Sequence, residues 1–109
     1  RLIEYVEAEY ANPNLSLTTV AVQFHISVPY LSRFFKEQTG CYFLEYLNKH
    51  RIRQAKTLLM NEDHSIKQVA FDVGYTSANT FIRIFKKYEQ ITPGRFRENS
   101  FGTFLTDTG

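Results

Sequence analysis

The sequence predicts an all-α fold of about seven helices: two units of helix, short turn and helix, joined by a long connecting helix. Three observations carry this expectation. The stretch VAVQFHISVPYLSRFFKEQTG, residues 20–40, returns as VAFDVGYTSANTFIRIFKKYEQITPGRFR, residues 69–97. Apolar residues in both copies recur at three- and four-residue spacing, the period of one helix face. Neither Gly nor Pro interrupts the helix interiors, and a Ser stands at the start of each helix in the pair.

Residues 2–11 read as a leading helix that stops at Asn12-Pro13-Asn14, a run of turn formers. Ser16 is an N-cap candidate for a helix over about 18–25. His25 follows at the turn, and His tolerates positive φ better than most residues. Ser27 caps the next helix, about 28–38, with Pro29 in its first turn, where a missing N–H is harmless. The connecting helix covers roughly 43–62. Leu44, Leu47, Ile52, Ala55, Leu58 and Leu59 form its apolar stripe, and Glu45, Lys49, Arg53 and Lys56 line another face. Glu45 to Lys49 is the favourable i,i+4 order.

In the second unit Ser65-x-x-Gln68 reads as a capping box opening a helix over about 66–73. Gly74 supplies the positive φ of a tight turn. Ser77 caps a helix over about 78–88, and Thr92-Pro93 opens a short last helix, about 93–98. Residues 99–109 look like a loose tail from which Phe101 and Phe104 can pack back. The expected organisation is a first subdomain over 1–42, the connecting helix over 43–62, a second subdomain over 63–98 and the tail over 99–109.

An offset of 49 pairs Ser16 with Ser65, Val20 with Val69 and Ala21 with Ala70; an offset of 50 then pairs Ser27 with Ser77, Arg33 with Arg83, Phe35 with Phe85 and Lys36 with Lys86. The single shift falls in the turn, where an insertion disturbs least. At 100° per residue, Phe81, Ile84, Phe85 and Tyr88 share the inner side of their helix, while Asn79, Thr80, Arg83, Lys86 and Lys87 fall on the other. In the first copy Leu31, Phe34 and Phe35 point inward with Gln38 nearby, and Pro29, Ser32, Arg33 and Lys36 point outward.

A hydrophobic content of 43% with 16% aromatic residues argues against disorder and for a modest core. One cysteine, Cys41, excludes an internal disulfide framework and a cysteine zinc site. His25, His50 and His64 are not at ligand spacing, and no catalytic constellation stands out, so neither metal, cofactor nor enzymatic activity is expected. No apolar run is long enough to span a bilayer, and a cytoplasmic setting is expected. The chain begins at Arg1 and reads as a piece of a longer protein.

The net charge of +2 implies no anionic partner by itself, but its distribution is uneven. Residues 1–32 hold one basic residue and three acids, whereas residues 33–97 hold twelve basic residues and six acids, a local excess of +6. A solvated polar face accounts for one such helix; two copies exposing Arg and Lys at matched positions favour a polyanion. Arg can fork onto guanine and Asn onto adenine, Lys serves phosphates, and short hydroxyl residues let the backbone come close. A connecting helix of about 20 residues is about 30 Å long, close to the ~34 Å between successive major-groove faces of DNA.

Residues 66–97, IKQVAFDVGYTSANTFIRIFKKYEQITPGRFR, resemble the signature of the DNA-binding domain of AraC/XylS-type transcriptional regulators. YLNKHRIRQAKTLL, residues 46–59, resembles the family's connecting helix, and YLSRFFKEQTG, residues 30–40, the second helix of its first unit. The resemblance covers about residues 1–98. It implies a seven-helix domain with two helix-turn-helix subdomains whose recognition helices, about 28–38 and 78–88, enter neighbouring major grooves of double-stranded DNA. The base-reading candidates it implies are Val28, Pro29, Ser32, Arg33, Ala78, Asn79, Thr80 and Arg83. The phosphate candidates are Ser16, Lys36, Lys49, Arg53, Ser65, Lys86 and Lys87. RNA polymerase is a further implied partner, and effector binding or dimerisation is expected of segments missing here. One departure is Gln90, where the family usually carries Gly.

Two other functions compete with DNA recognition. Relatives fused to cysteine-based alkyl-transfer modules raise DNA repair, which Cys41 alone does not equip this chain to perform. Paired aromatic helices also suit a protein-interaction module.

Overall fold

A computed structural model describes the backbone of residues 1–108 and the side chains of residues 1–101. The helices are α1 (Leu2–Ala8), α2 (Leu17–Gln23), α3 (Val28–Thr39), α4 (Phe43–Leu59), α5 (Ile66–Asp72), α6 (Ala78–Glu89) and α7 (Pro93–Thr108), with no strand among the described residues. Helices α2–α3 and α5–α6 are the two repeated units, and α4 joins them.

Hydroxyl caps start all four helices of the units, though not in the expected pattern. Ser16 and Thr19 form the reciprocal capping box, Ser16 Oγ accepting from Thr19 N at 3.1 Å and Thr19 Oγ1 from Ser16 N at 2.9 Å. Ser65 Oγ accepts from Gln68 N at 3.0 Å, but Gln68 Nε2 donates to Asp72 Oδ1 at 2.8 Å instead of reaching back. The charge-assisted bond to the Asp72 carboxylate draws the Gln68 side chain forward along the helix, away from the Ser65 N–H that its Oε1 would accept from in a capping box. Ser27 and Ser77 cap α3 and α6 through Tyr30 N and Thr80 N.

Both turns close alike. Ile26 N donates to Ala21 O and Tyr75 N to Ala70 O, each at 3.0 Å. His25 at φ 57° and Gly74 at φ 107° occupy the positive-φ position. The extra residue of the second unit is Thr76, exposed between Tyr75 and Ser77. Gly74 meets a second demand, because a Cβ there would lie 2.7 Å from Tyr10 O and 2.8 Å from Arg51 Nε. Gln90 stands at φ 71°, in the same left-handed position that Gly40 takes at φ 78° after α3, and each donates its N–H back to a lysine carbonyl, Lys86 and Lys36.

The repeat also reaches into the loops. Asn12 Oδ1 accepts from Asn14 N and Asn61 Oδ1 from Asp63 N, each at 2.9 Å. An arginine clamps each loop: buried Arg51 donates to Tyr10 O (2.8 Å) and Asn12 O (2.9 Å), and half-buried Arg97 to Leu59 O (2.8 Å), Asn61 O (3.1 Å) and His64 O. These donors satisfy carbonyls that a continuing helix would have bonded. Accordingly α1 ends at Ala8 and α4 at Leu59, short of the expected 11 and 62.

Two cores result. Val6, Val20, Leu31, Phe35 and Leu47 centre the first; Ile52, Ala55, Leu59, Val69, Phe81 and Phe85 centre the second. Connecting helix α4 contributes to both, and Tyr10 packs against both. At the junction Tyr75 Oη donates to Asn48 Oδ1 at 2.7 Å, and the Arg51 guanidinium lies 5.2 Å from the centre of the Tyr75 ring. Burial pushes the Tyr75 phenol up to about 12.

Three sequence expectations are corrected. Leu44 is 64% exposed rather than part of the apolar stripe, since Phe43 takes the buried place at the start of α4. Gln38 is exposed. The backbone of residues 99–108 continues α7, with Ser100 Oγ bonded to Phe96 O and Phe101 half-buried, in place of a loose tail. The Phe104 side chain lies outside the described residues.

Gly74→Ala should destabilise the fold by about 3 kcal/mol, from overpacking plus the positive φ. Gln90→Gly should stabilise it by about 0.5 kcal/mol, as relief of the left-handed strain outweighs the added chain entropy. Urea unfolding with an unchanged m-value checks both.

Candidate nucleic-acid interface

The interior sides of α3 and α6 are anchored by equivalent residues. Leu31 and Phe35 are fully buried on α3, and Phe81 and Phe85 on α6. Pinning these two positions per helix turns the opposite stripe outward at the same residue spacing in both.

On α3 that stripe holds Val28, Pro29, Arg33 and Lys36, all exposed, with Ser32 half-buried. On α6 it holds Asn79, Arg83, Lys86 and Lys87, all exposed, with Ala78 and Thr80 half-buried. Among the described residues the side chains of Arg33 and Arg83 enter neither hydrogen bond nor ion pair. Both guanidiniums are therefore available to an outside acceptor.

The lysines differ more than their matched positions imply. Lys36 Nζ donates to Gly40 O at 3.1 Å and sits 4.8 Å from the centre of the Tyr42 ring, which ties it to the carbonyl end of α3. Lys87 Nζ lies 5.6 Å from the Tyr88 ring centre. Its counterpart at the offset of 50 is Glu37. The C-terminal half of α6 is thus more cationic than that of α3.

Helix α4 carries cations that are largely compensated. Lys49 pairs with Glu45 at 2.9 Å, and Lys56 with Glu89 of α6 at 3.0 Å. The Lys49 ammonium holds the Glu45 carboxyl below its ordinary value, and Glu45 in turn holds Lys49 above its own. Arg53 Nη1 lies 3.4 Å from His50 Nδ1 and remains exposed. Ser16 and Ser65 spend their hydroxyl oxygens on helix amides. Arg51 and Arg97, counted in the basic excess, face inward as loop clamps.

The sequence reading passed over Tyr30. It is 51% exposed on the first turn of α3 and corresponds to Thr80 at the offset of 50. That pairing was the available signal; the aromatic character of Tyr30 masked it.

The molecule measures 55 × 24 × 22 Å, and α4, at 17 residues, is about 26 Å long. Its long axis exceeds one DNA turn of ~34 Å. No helix of the described residues is long and apolar enough to cross a membrane.

Two units on one spacer, each with a buried Phe and an exposed Arg on its second helix, make up the candidate interface. A family model for a helix-turn-helix domain matches residues 6–99. The chain belongs to the AraC/XylS-type helix-turn-helix family. A probable transcription factor of Proteus vulgaris, PqrA, is 36% identical over 99 residues, which is 90% of this chain and 81% of that protein. An uncharacterized HTH-type transcriptional regulator of Bacillus subtilis, YtdP, is also 36% identical, over 89% of this chain but only 12% of its own length. The C-terminal domain of AraT, a response regulator from Geobacillus stearothermophilus, superposes with a TM-score of 0.88 at 31% identity, covering 91% of this chain and 82% of that one. In this AraC/XylS-type domain the fold and the two-unit plan are therefore those of the family.

Because Arg33 and Arg83 are exposed and unpaired, Arg33→Ala and Arg83→Ala should each shift unfolding stability by no more than about 0.5 kcal/mol. Chemical denaturation of the free protein measures this and separates any binding defect from a folding one.

Proposed function

We propose that this domain binds double-stranded DNA sequence-specifically as part of a transcription regulator, with α3 and α6 in adjacent major grooves. The observation that carries the reading is the matched pair of exposed, unpartnered arginines, Arg33 and Arg83, each backed by a fully buried Phe two residues on. Arg33, Arg83 and Asn79 are the principal base readers, since a guanidinium forks onto guanine O6 and N7 and an amide onto adenine N6 and N7. Ser32 and Thr80 offer hydroxyls, and Val28, Pro29 and Ala78 offer apolar contact, as to a thymine methyl. Tyr30 joins them on the edge of α3.

Lys86 and Lys87 are the principal phosphate ligands, followed by Arg53. Lys36 and Lys49 serve phosphates after leaving their present partners, and the amides beside Ser16 and Ser65 add neutral donors. The charge difference between Lys87 and Glu37 makes α6 the stronger anchor. We assign the chain binding and no catalysis, in a cytoplasmic regulator. Contact with RNA polymerase, effector binding and dimerisation belong to the whole regulator.

Selection from a random duplex pool should return two short boxes about one helical turn apart, roughly 10 base pairs centre to centre. A single box, or capture of a protein partner with indifference to all duplexes, overturns the two-headed reading. Arg83→Ala should weaken the selected duplex by about 1–3 kcal/mol and relax preference at one base pair, whereas Lys86→Ala should weaken all duplexes alike and reduce the salt slope by about 1. Fluorescence anisotropy across a salt series measures both.

A further inference from the structure

We infer that Arg51 locks the two helix-turn-helix units into one fixed relative position, and thereby sets the spacing between the DNA boxes that the domain accepts. The DNA consequence rests on the function proposed above; the mechanical one does not.

The helices of the first unit pack on one another and on α4, and those of the second do likewise. Among the described residues, the loop after α1 touches the turn between α5 and α6. Tyr10 O approaches Gly74 so closely that a methyl group there would sit at 2.7 Å from it. Arg51 is 6% exposed between them. Its Nε and Nη2 hold Tyr10 O and Asn12 O on the first-unit side, and its guanidinium carbon lies over the Tyr75 ring, 5.2 Å from its centre, on the second-unit side. Tyr75 is fixed in turn by its bond to Asn48 Oδ1, one α-helical turn before Arg51 on its N-terminal side. Among the described residues Arg51 has no carboxylate partner. A buried cation so placed depends on those two carbonyls and that ring.

A flat five-donor fork suits this task and an ammonium does not. Lysine at position 51 cannot bond both carbonyls in one plane while covering the ring. Arg97, the equivalent clamp, reaches only α4 and the loop that follows it. The coupling is therefore specific to Arg51.

Two variants test it: Arg51→Lys, and Tyr75→Phe, which removes only the hydroxyl. Val69→Ala, buried in the second core, serves as a control of lowered stability. Nitroxides on cysteines introduced by Thr18→Cys and Lys67→Cys, with Cys41→Ser, report the distance between the units by pulsed electron resonance. The parent and the Val69→Ala control should show one narrow distribution, Arg51→Lys a broad one, and Tyr75→Phe an intermediate one. On duplexes carrying both boxes, adding or removing two base pairs between them should weaken the parent about tenfold or more and Arg51→Lys less than about threefold. Affinity for a single box should stay within about twofold, since neither reading helix is altered. A narrow distribution in folded Arg51→Lys, or equal broadening in Val69→Ala, overturns the coupling. If distances broaden as described while the parent ignores every duplex, the lock stands and the DNA function falls.

Discussion

The whole arrangement depends on one helix serving two interiors. Each unit by itself is too small to enclose a core, and each completes its own against a different stretch of α4. Phe43 and Leu47 close the first, Ile52, Ala55 and Leu59 the second. Because the same rigid rod carries both sets of apolar side chains, the outward faces of α3 and α6 inherit their relative placement from its length and pitch together with the Arg51 junction. Positioning and stability thus come from the same burial.

Much of this was legible in the amino-acid order, for identifiable reasons. Leu31, Phe35, Phe81 and Phe85 stood out because helical periodicity at fixed spacing leaves few alternatives for where they face. The caps at Ser16, Ser27, Ser65 and Ser77 were equally plain, being local chemistry. What escaped was what depends on distant partners. Leu44 fitted the stripe by spacing, yet the first turn of α4 has nothing to cover it. Gln68 fitted a capping box, but its amide donates forward to Asp72 instead of accepting from Ser65 N–H. Arg51 and Arg97 counted as surface charge, because no sequence pattern announces carbonyls some forty residues away.

The same limit applies to the candidate interface. Exposure of Arg33 and Arg83 followed from periodicity, but the restraint of Lys36 by Gly40 and Tyr42, and of Lys49 by Glu45, did not. The two heads are alike in backbone and unlike in electrostatics. The repeated pattern gives the two halves equal geometry, and differences such as Glu37 opposite Lys87 give them unequal charge toward an anion.

The paired loop clamps carry a further lesson. At the offset that aligns α3 with α6, Arg97 falls opposite Leu47, four residues before Arg51. Yet both arginines grip matching carbonyls, Tyr10 and Asn12 in one copy and Leu59 and Asn61 in the other. The acceptors hold matched positions in the two copies, while the donors stand on different rungs of their helices. Comparing such halves column by column would miss this kinship, which resides in shape and not in letters.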